Sequence, residues 1–289
     1  TVANLSIDDS SASQGVGLFS SVNGDIEIRN LALSNASVVD SRDNPPSVGM
    51  LIGLFQGGNV TRVKISGSVE GEDSVGGIVG AVGGHANLSH VEFNGSVTGD
   101  ESVGGIIGEV NSLGTLHLEQ ARLNASVTAS GSNGQVGGVV GEVAGETSFN
   151  QVRVNATTSA IAGGFSSSGS VVGYVRNLGR ISVNATRVTG RVLGGYAGGF
   201  VGEPDGITKI TNSSGELAAI NSSSSYAGGF FPEFGSTGNG SIQDSYLVIE
   251  QMHASLNANP IVGNQLHTDD LAVRNSFVRI DERSGDGTH

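Results

Sequence analysis

Apolar and polar residues alternate one for one in a short segment that returns along the chain. It reads Val63 Lys64 Ile65 Ser66 Gly67 Ser68 Val69, then Val91 Glu92 Phe93 Asn94 Gly95 Ser96 Val97, with further copies at Ala121 to Val127, Val152 to Thr157 and Ile181 to Thr186. A two-residue period belongs to a half-buried strand, so Val63, Ile65, Gly67 and Val69 face inward and Lys64, Ser66 and Ser68 outward. A second pattern recurs between these segments: Val75 Gly76 Gly77 Ile78 Val79 Gly80, repeated at Val103 to Gly108 and Val136 to Gly141. Looser copies start at Val16, Val48, Val171, Ala197, Ala227 and Ile261, giving spacings of 32, 27, 28, 33, 35, 26, 30 and 34 residues. The unit is therefore about 27 residues with loop insertions.

No segment carries a helical period, β-branched residues dominate, and glycine punctuates every unit too often for helices. The chain is read as all-β. A unit this short cannot bury its own apolar face, so neighbours must stack, which predicts a parallel β-solenoid (β-helix) of about eight to nine rungs. At a strand spacing of about 4.8 Å the rod is on the order of 40 Å long. Residues 1–289 then form one elongated domain, with repeats over about 16–260 and a terminal rung or cap in 261–289. The paired glycines Gly76 and Gly77, Gly104 and Gly105, Gly137 and Gly138, Gly198 and Gly199, and Gly228 and Gly229 are read as structural, permitting close backbone approach or positive φ. A phosphate-cradling role needs a helix after the glycines, and none is predicted.

The outward parity places Asn94, Asn124, Asn155 and Asn184 in one exposed column and Ser96, Ser126, Thr157 and Thr186 in the next. Such columns serve as hydrogen-bonded ladders, as glycan acceptors, since Asn-x-Ser/Thr occurs 11 times in the chain, or as a repetitive ligand surface. The lengthened units gain residues at one place, between the alternating strand and the next glycine strand: Val39 to Pro46, Ala129 to Gly134 and Ser159 to Gly169. Loops at a fixed position project from one side of a repeat protein, which makes Arg42, Asp43 and Asn44 candidate ligand-binding residues beside the four asparagines.

Composition sharpens this reading. With 47 Gly and 39 Ser the chain would resemble a disordered one but for its period, while 37% hydrophobic and only 14% charged residues fit a folded core. Aromatics are 5% and Trp is absent, so the core is filled in thin aliphatic layers. A net charge of −13 repels phosphate backbones and anionic lipid heads, arguing against nucleic acid as a partner and against membrane insertion. The absence of cysteine excludes disulfides, thiol catalysis and thiolate metal sites, and fits a secreted chain without covalent staples. The first residue is Thr1 and no charged-then-apolar leader follows it, so the chain is expected to be a fragment of a larger protein.

Candidate chemistry is sparse. The six histidines never show the spacing of a helical zinc motif, and His85 and His90 are five residues apart across a turn. The acidic turns Glu70 Gly71 Glu72 Asp73 and Gly99 Asp100 Glu101 stack on successive rungs; calcium is the single candidate cofactor there, and solvated turns are the plainer reading. Glycoside hydrolysis needs two carboxyl groups facing one bond. Acidic residues are read as sitting mainly at turns, and Asp269 and Asp270, being adjacent, point to opposite faces of a strand. No catalytic residue is assigned.

The core Val-Gly-Gly-Ile-Val-Gly, as at Val75 to Gly80, Val103 to Gly108 and Val136 to Gly141, resembles the glycine-rich GLUG motif over roughly residues 15–235. That motif is found in bacterial surface adhesins, large secreted repeat proteins and non-catalytic regions of some immunoglobulin-cleaving peptidases. The resemblance implies a secreted or cell-surface bacterial region and carries over no catalytic residue. The expectation is a non-enzymatic adhesin region, a stalk or binding module whose partner is a host surface protein, a glycan or another cell-surface molecule. Alternatives are a solenoid polysaccharide lyase or hydrolase, an ice-binding surface built on the Asn and Ser/Thr columns, and a purely structural spacer.

Overall fold

The computed structural model describes residues 1–8, 14–40, 47–161, 165–234, 237–264 and 271–285, and within them every regular element is a β-strand. One coil shows the unit. Ser102–Gly104 is a short glycine strand, Ile107–Val110 turns away from it, Thr115–Glu119 forms a third segment and Arg122–Ala129 a fourth. Each segment pairs in parallel with its equivalent in the coil below and the coil above, so the chain is a parallel β-solenoid of about eight turns. The nine described glycine strands make one sheet, and the other three stacks run together as a 22-stranded sheet, except that Phe231–Glu233 and Val262–Asn264 pair as a separate two-stranded sheet.

The stacking puts like residues on like. Val103 lies between Val75 and Val136, and Leu118 lies between Leu88 and Phe149. Those side chains are buried, in a core filled by columns of Val, Leu, Ile and Phe. Phe200 and Phe230 stack inside it with ring centroids 5.3 Å apart. Parallel strands buried on the inner face carry alternating patterns only because their outer face is wet.

Register corrects three details of the sequence reading. The copy placed at Val171 belongs at Ser168, which pairs with Val136, and the copy at Ile261 belongs at Ala258, which pairs with Ala227. The spacings become 32, 27, 28, 33, 32, 29, 30 and 31 residues, more regular than the sequence alone implied. Serine hid the true start, for Ser166, Ser167 and Ser168 occupy core positions and are fully buried. Their hydroxyls are satisfied locally, Ser168 Oγ donating to Thr158 Oγ1 at 2.9 Å and Ser167 Oγ to the Gly173 carbonyl at 3.2 Å.

The second correction concerns the insertions, which fall at two corners rather than one. Ala129 to Gln135 and Ala160 to Ser167 lengthen the expected corner, but Asn111 to Gly114 and Arg176 to Gly179 lengthen another, between the second and third segments. Both of these close with a turn hydrogen bond, Gly114 N–H to Asn111 O and Gly179 N–H to Arg176 O.

The third concerns the glycine pairs. None of the ten has a positive φ, so close approach is their reason. A Cβ on Gly104 would press into the Ile107 carbonyl oxygen and lie 2.7 Å from the Gly141 amide nitrogen. That column reads Gly17, Gly49, Gly76, Gly104, Gly137, Gly169, Gly198 and Gly228, ending at Asn259. The second glycine of the pair also meets backbone, since a Cβ on Gly105 would press into the Gly138 carbonyl oxygen, yet the same position holds Leu18, Met50, Ser170 and Pro260 in other coils.

Contacts between coils are mainly with nearest neighbours, so a register-neutral deletion should be tolerated. Removing residues 75–102 joins Ser74 to Val103, and Ser74 and Ser102 are paired equivalents. The expected product is a folded rod one coil shorter, keeping its β circular dichroism and cooperative melt; a random-coil spectrum would contradict the stacked architecture.

Candidate functional site

Between the third and fourth segments every coil turns through one residue in the left-handed region. These residues are Asn30, Arg62, His90, Gln120, Gln151, Ala185, Asn212, Asp244 and Asn275, with φ between 45° and 57°. Asn and Asp take this conformation at least cost, and stacking spreads the cost of the others over a shared corner. The corner breaks the alternation: two outward residues follow one another, as Glu119 and Gln120 do, so successive inward residues such as Leu118 and Ala121 stand three apart instead of two.

The corner decides which of the four expected asparagines share a column. Asn94, Asn124 and Asn155 do, lying in register on successive coils. Asn124 Nδ2 donates to Asn94 Oδ1 at 3.1 Å and Asn155 Nδ2 to Asn124 Oδ1 at 2.9 Å. Asn184 does not join them. It ends the third segment, pairs with Asn150 and donates to Asn150 Oδ1 at 2.9 Å, because Ala185 is the corner residue of its coil. Thr189 is the true partner of Asn155, and Thr186, expected on the exposed column, is buried. Arg42, Asp43 and Asn44 lie outside the described residues, as do Asp269 and Asp270.

The first outward residues of the fourth segment form a different column, running Lys64, Glu92, Arg122, Arg153, Arg187, Ser214, Tyr246, Phe277. Three guanidinium groups on adjacent coils are notable in a chain with only 14 Lys and Arg in 289 residues. Lys64 is 3.1 Å from Glu92, and Arg187 Nη2 is 3.1 Å from Glu216 Oε1. Arg122 and Arg153, between these pairs, have no ion-pair partner among the described residues. Like charges about 5 Å apart repel by roughly 1 kcal/mol even in water, a cost that a bound anion removes. Beside the arginines lies a groove of about 1120 Å³, lined also by His90, Gln120, Gln151, Asn155 and Thr189. At the far end of the column, beyond the groove, Tyr246 and Phe277 stack with centroids 5.5 Å apart, both exposed.

A second outward column sits on the second segment and corrects the expectation that acids gather at turns. Glu109, Glu142, Tyr174 and Glu203 are in register on successive coils, and Glu233 holds the equivalent place two residues after Phe231. Glu142 is buried, ion-paired with Arg176, and accepts from Ser102 Oγ at 3.2 Å. Glu109 accepts from Ser74 Oγ at 2.8 Å; burial, with the Glu142 charge next in size, holds its carboxyl above the ordinary range. Burial also pushes Glu203 up to about 7, helped by Asp205, Glu233 and Glu142. Tyr174 donates to Asp205 Oδ2 at 3.1 Å, and burial together with that acid raises its phenol. The signal was in the sequence, since three of these acids directly follow the last glycine of the repeated motif, in Gly108 Glu109, Gly141 Glu142 and Gly202 Glu203.

Among the described residues no group of three or more His, Asp or Glu side chains is arranged to hold a metal ion, the acidic turns at Glu70 to Asp73 and Gly99 to Glu101 included. Among the described residues no helix is long and apolar enough to cross a membrane.

Fold and surface together define a parallel β-solenoid whose outer face carries a basic track and an acidic column. No family model matches the chain. Over 82 residues, 28% of its length, the chain is 40% identical to Halomucin of Haloquadratum walsbyi, of which that stretch covers 1%. Among solved structures it is similar to a candidate immunoglobulin A1 protease from Bacteroides ovatus, over 96% of this chain and 79% of that one, at 12% identity and a TM-score of 0.36.

Proposed function

We propose that this chain is a non-enzymatic region of a large secreted or cell-surface protein, an adhesin segment that acts as stalk and binding module. The observation that carries the reading is the groove beside Arg122, Arg153 and Arg187, a ligand-sized concavity on the outer face of an otherwise regular rod. The similarity to a short stretch of Halomucin supports placement within a very long surface or secreted chain. The partner is a host surface protein or glycan. At the edges of the third insertion Ile161 and Phe165 are exposed, whereas Ala160 and Ser166 to Gly169 are buried.

A second reading, a solenoid carbohydrate-active enzyme, is favoured by one observation, the in-register Glu109 and Glu142 with the raised carboxyl of Glu203 in the same column. Cell-attachment and glycan-array assays on the intact chain, run with a panel of polysaccharides assayed for chain shortening, separate the two. Attachment without cleavage is expected, with Glu142→Gln and Glu203→Gln leaving attachment unchanged. Cleavage abolished by either substitution would replace the adhesin reading with the enzymatic one.

A further inference from the structure

We infer that the column from Lys64 to Phe277 is a binding track for a linear acidic polysaccharide laid along the rod axis. The inference rests on the binding-module reading and names its ligand class. Seven coil steps separate Lys64 from Phe277, which at about 4.8 Å per step makes a track of roughly 34 Å, the length of an oligomer rather than of a small molecule. Its centre is two guanidinium groups without an ion-pair partner among the described residues, Arg122 and Arg153, flanked on one side by Glu92, which Lys64 neutralises, and on the other by the ion-paired Arg187. Anions repeated along a polymer meet cations repeated along the rod. Arginine presents a planar fork that suits carboxylates and sulfate esters, and it keeps its charge at every accessible pH.

Neutral groups select the polymer. Gln120 and Gln151, joined by a 3.0 Å amide hydrogen bond, and Asn155 and Thr189 line the same groove. They supply partners for sugar hydroxyls between the charged contacts. The exposed Tyr246 and Phe277 rings extend the column with apolar surface of the kind that packs on the C–H face of a pyranose. A duplex nucleic acid is disfavoured, because its phosphates follow one another at about 1.7 Å along the axis while the cations of the track are about 5 Å apart. An acidic glycan, with one charge per one or two sugars, needs only the few cations the track has.

The test is equilibrium binding of the intact chain to polygalacturonate, chondroitin sulfate, neutral dextran, poly-dT and polyglutamate. One or both acidic glycans should bind while dextran does not, and raising salt from about 50 mM to about 200 mM should weaken binding. The double variant Arg122→Gln/Arg153→Gln should lose about tenfold or more in affinity, while Arg122→Lys/Arg153→Lys recovers part of it. Lys209→Gln, an exposed cation outside the groove, should change nothing, and unaltered melting of every variant confirms that the fold persists. Undiminished glycan binding by the glutamine variant, or poly-dT or polyglutamate bound as tightly as the glycans, would overturn the inference. Attachment to cells or to neutral glycans without affinity for either acidic glycan would overturn it while leaving the binding-module reading intact. Failure to bind any surface or glycan would remove both.

Discussion

Gly104→Val should unfold the rod locally or lower its stability by about 3 kcal/mol or more, beyond the usual cost of overpacking, because backbone rather than a movable side chain stands in the way. The added Cβ would press into the Ile107 carbonyl oxygen of its own coil and approach the Gly141 amide of the next. The two strands cannot separate without breaking the ladder in which Gly104 pairs with both Gly76 and Gly137. Gly104→Ala should already be costly. The neighbouring Gly105→Ser should also be costly, since its Cβ would press into the Gly138 carbonyl oxygen, but less so, because the same position accommodates Ser170 one coil beyond Gly138 and Met50 earlier in the chain. Urea denaturation of the three variants gives the order directly. Equal stabilities for Gly104→Ala and Gly105→Ser would show that the two glycine columns are equally tolerant and that close approach does not distinguish them.

That contrast shows where the sequence was readable. The alternation from Val63 to Val69 and the recurrence of Val75 to Gly80 were enough for strands, for stacking and for which residues face inward, since burial follows the two-residue parity. The corner at Arg62, His90, Gln120, Gln151 and Ala185 was harder to read, because its residues share no side-chain type and its one mark is a three-residue step between inward positions, as from Leu118 to Ala121. Missing the corner moved one coil out of register, aligning Ile181 to Thr186 with Val152 to Thr157 when its partners are Thr147 to Val152. That slip concealed the basic track. With Ser182 set against Arg153 the column shows two arginines, and with Arg187 in its place it shows three. The acidic column was legible in principle from the residue after each motif-closing glycine, but its partial burial is a property of the stacked corner, not of any one coil.

That burial gives the acidic column a measurable consequence. In the unfolded chain the Glu203 carboxyl titrates near 4.5, and in the folded rod it is pushed up to about 7 by burial and by the charges of Asp205, Glu233 and Glu142. Between these values the folded state holds a proton that the unfolded state has lost, so stability falls as pH rises through the window from about 4.5 to 7. The stabilisation is fully present below the lower value and gone above the upper one. Allowing for the partial exposure of the side chain, the loss is on the order of 2 kcal/mol, a decrease of several degrees in Tm for a chain of this size. Arg176 does not relieve it, because its guanidinium is committed to Glu142. Glu203→Gln should therefore leave stability at pH 4 nearly unchanged, raise it at pH 8, and flatten the profile between. The repulsion of the remaining acids acts on both proteins alike, so their difference isolates this one group. Calorimetric melts of both from pH 4 to pH 8 that ran parallel would show that Glu203 is solvated and ionised in the rod, and that the column stores no electrostatic strain at that coil.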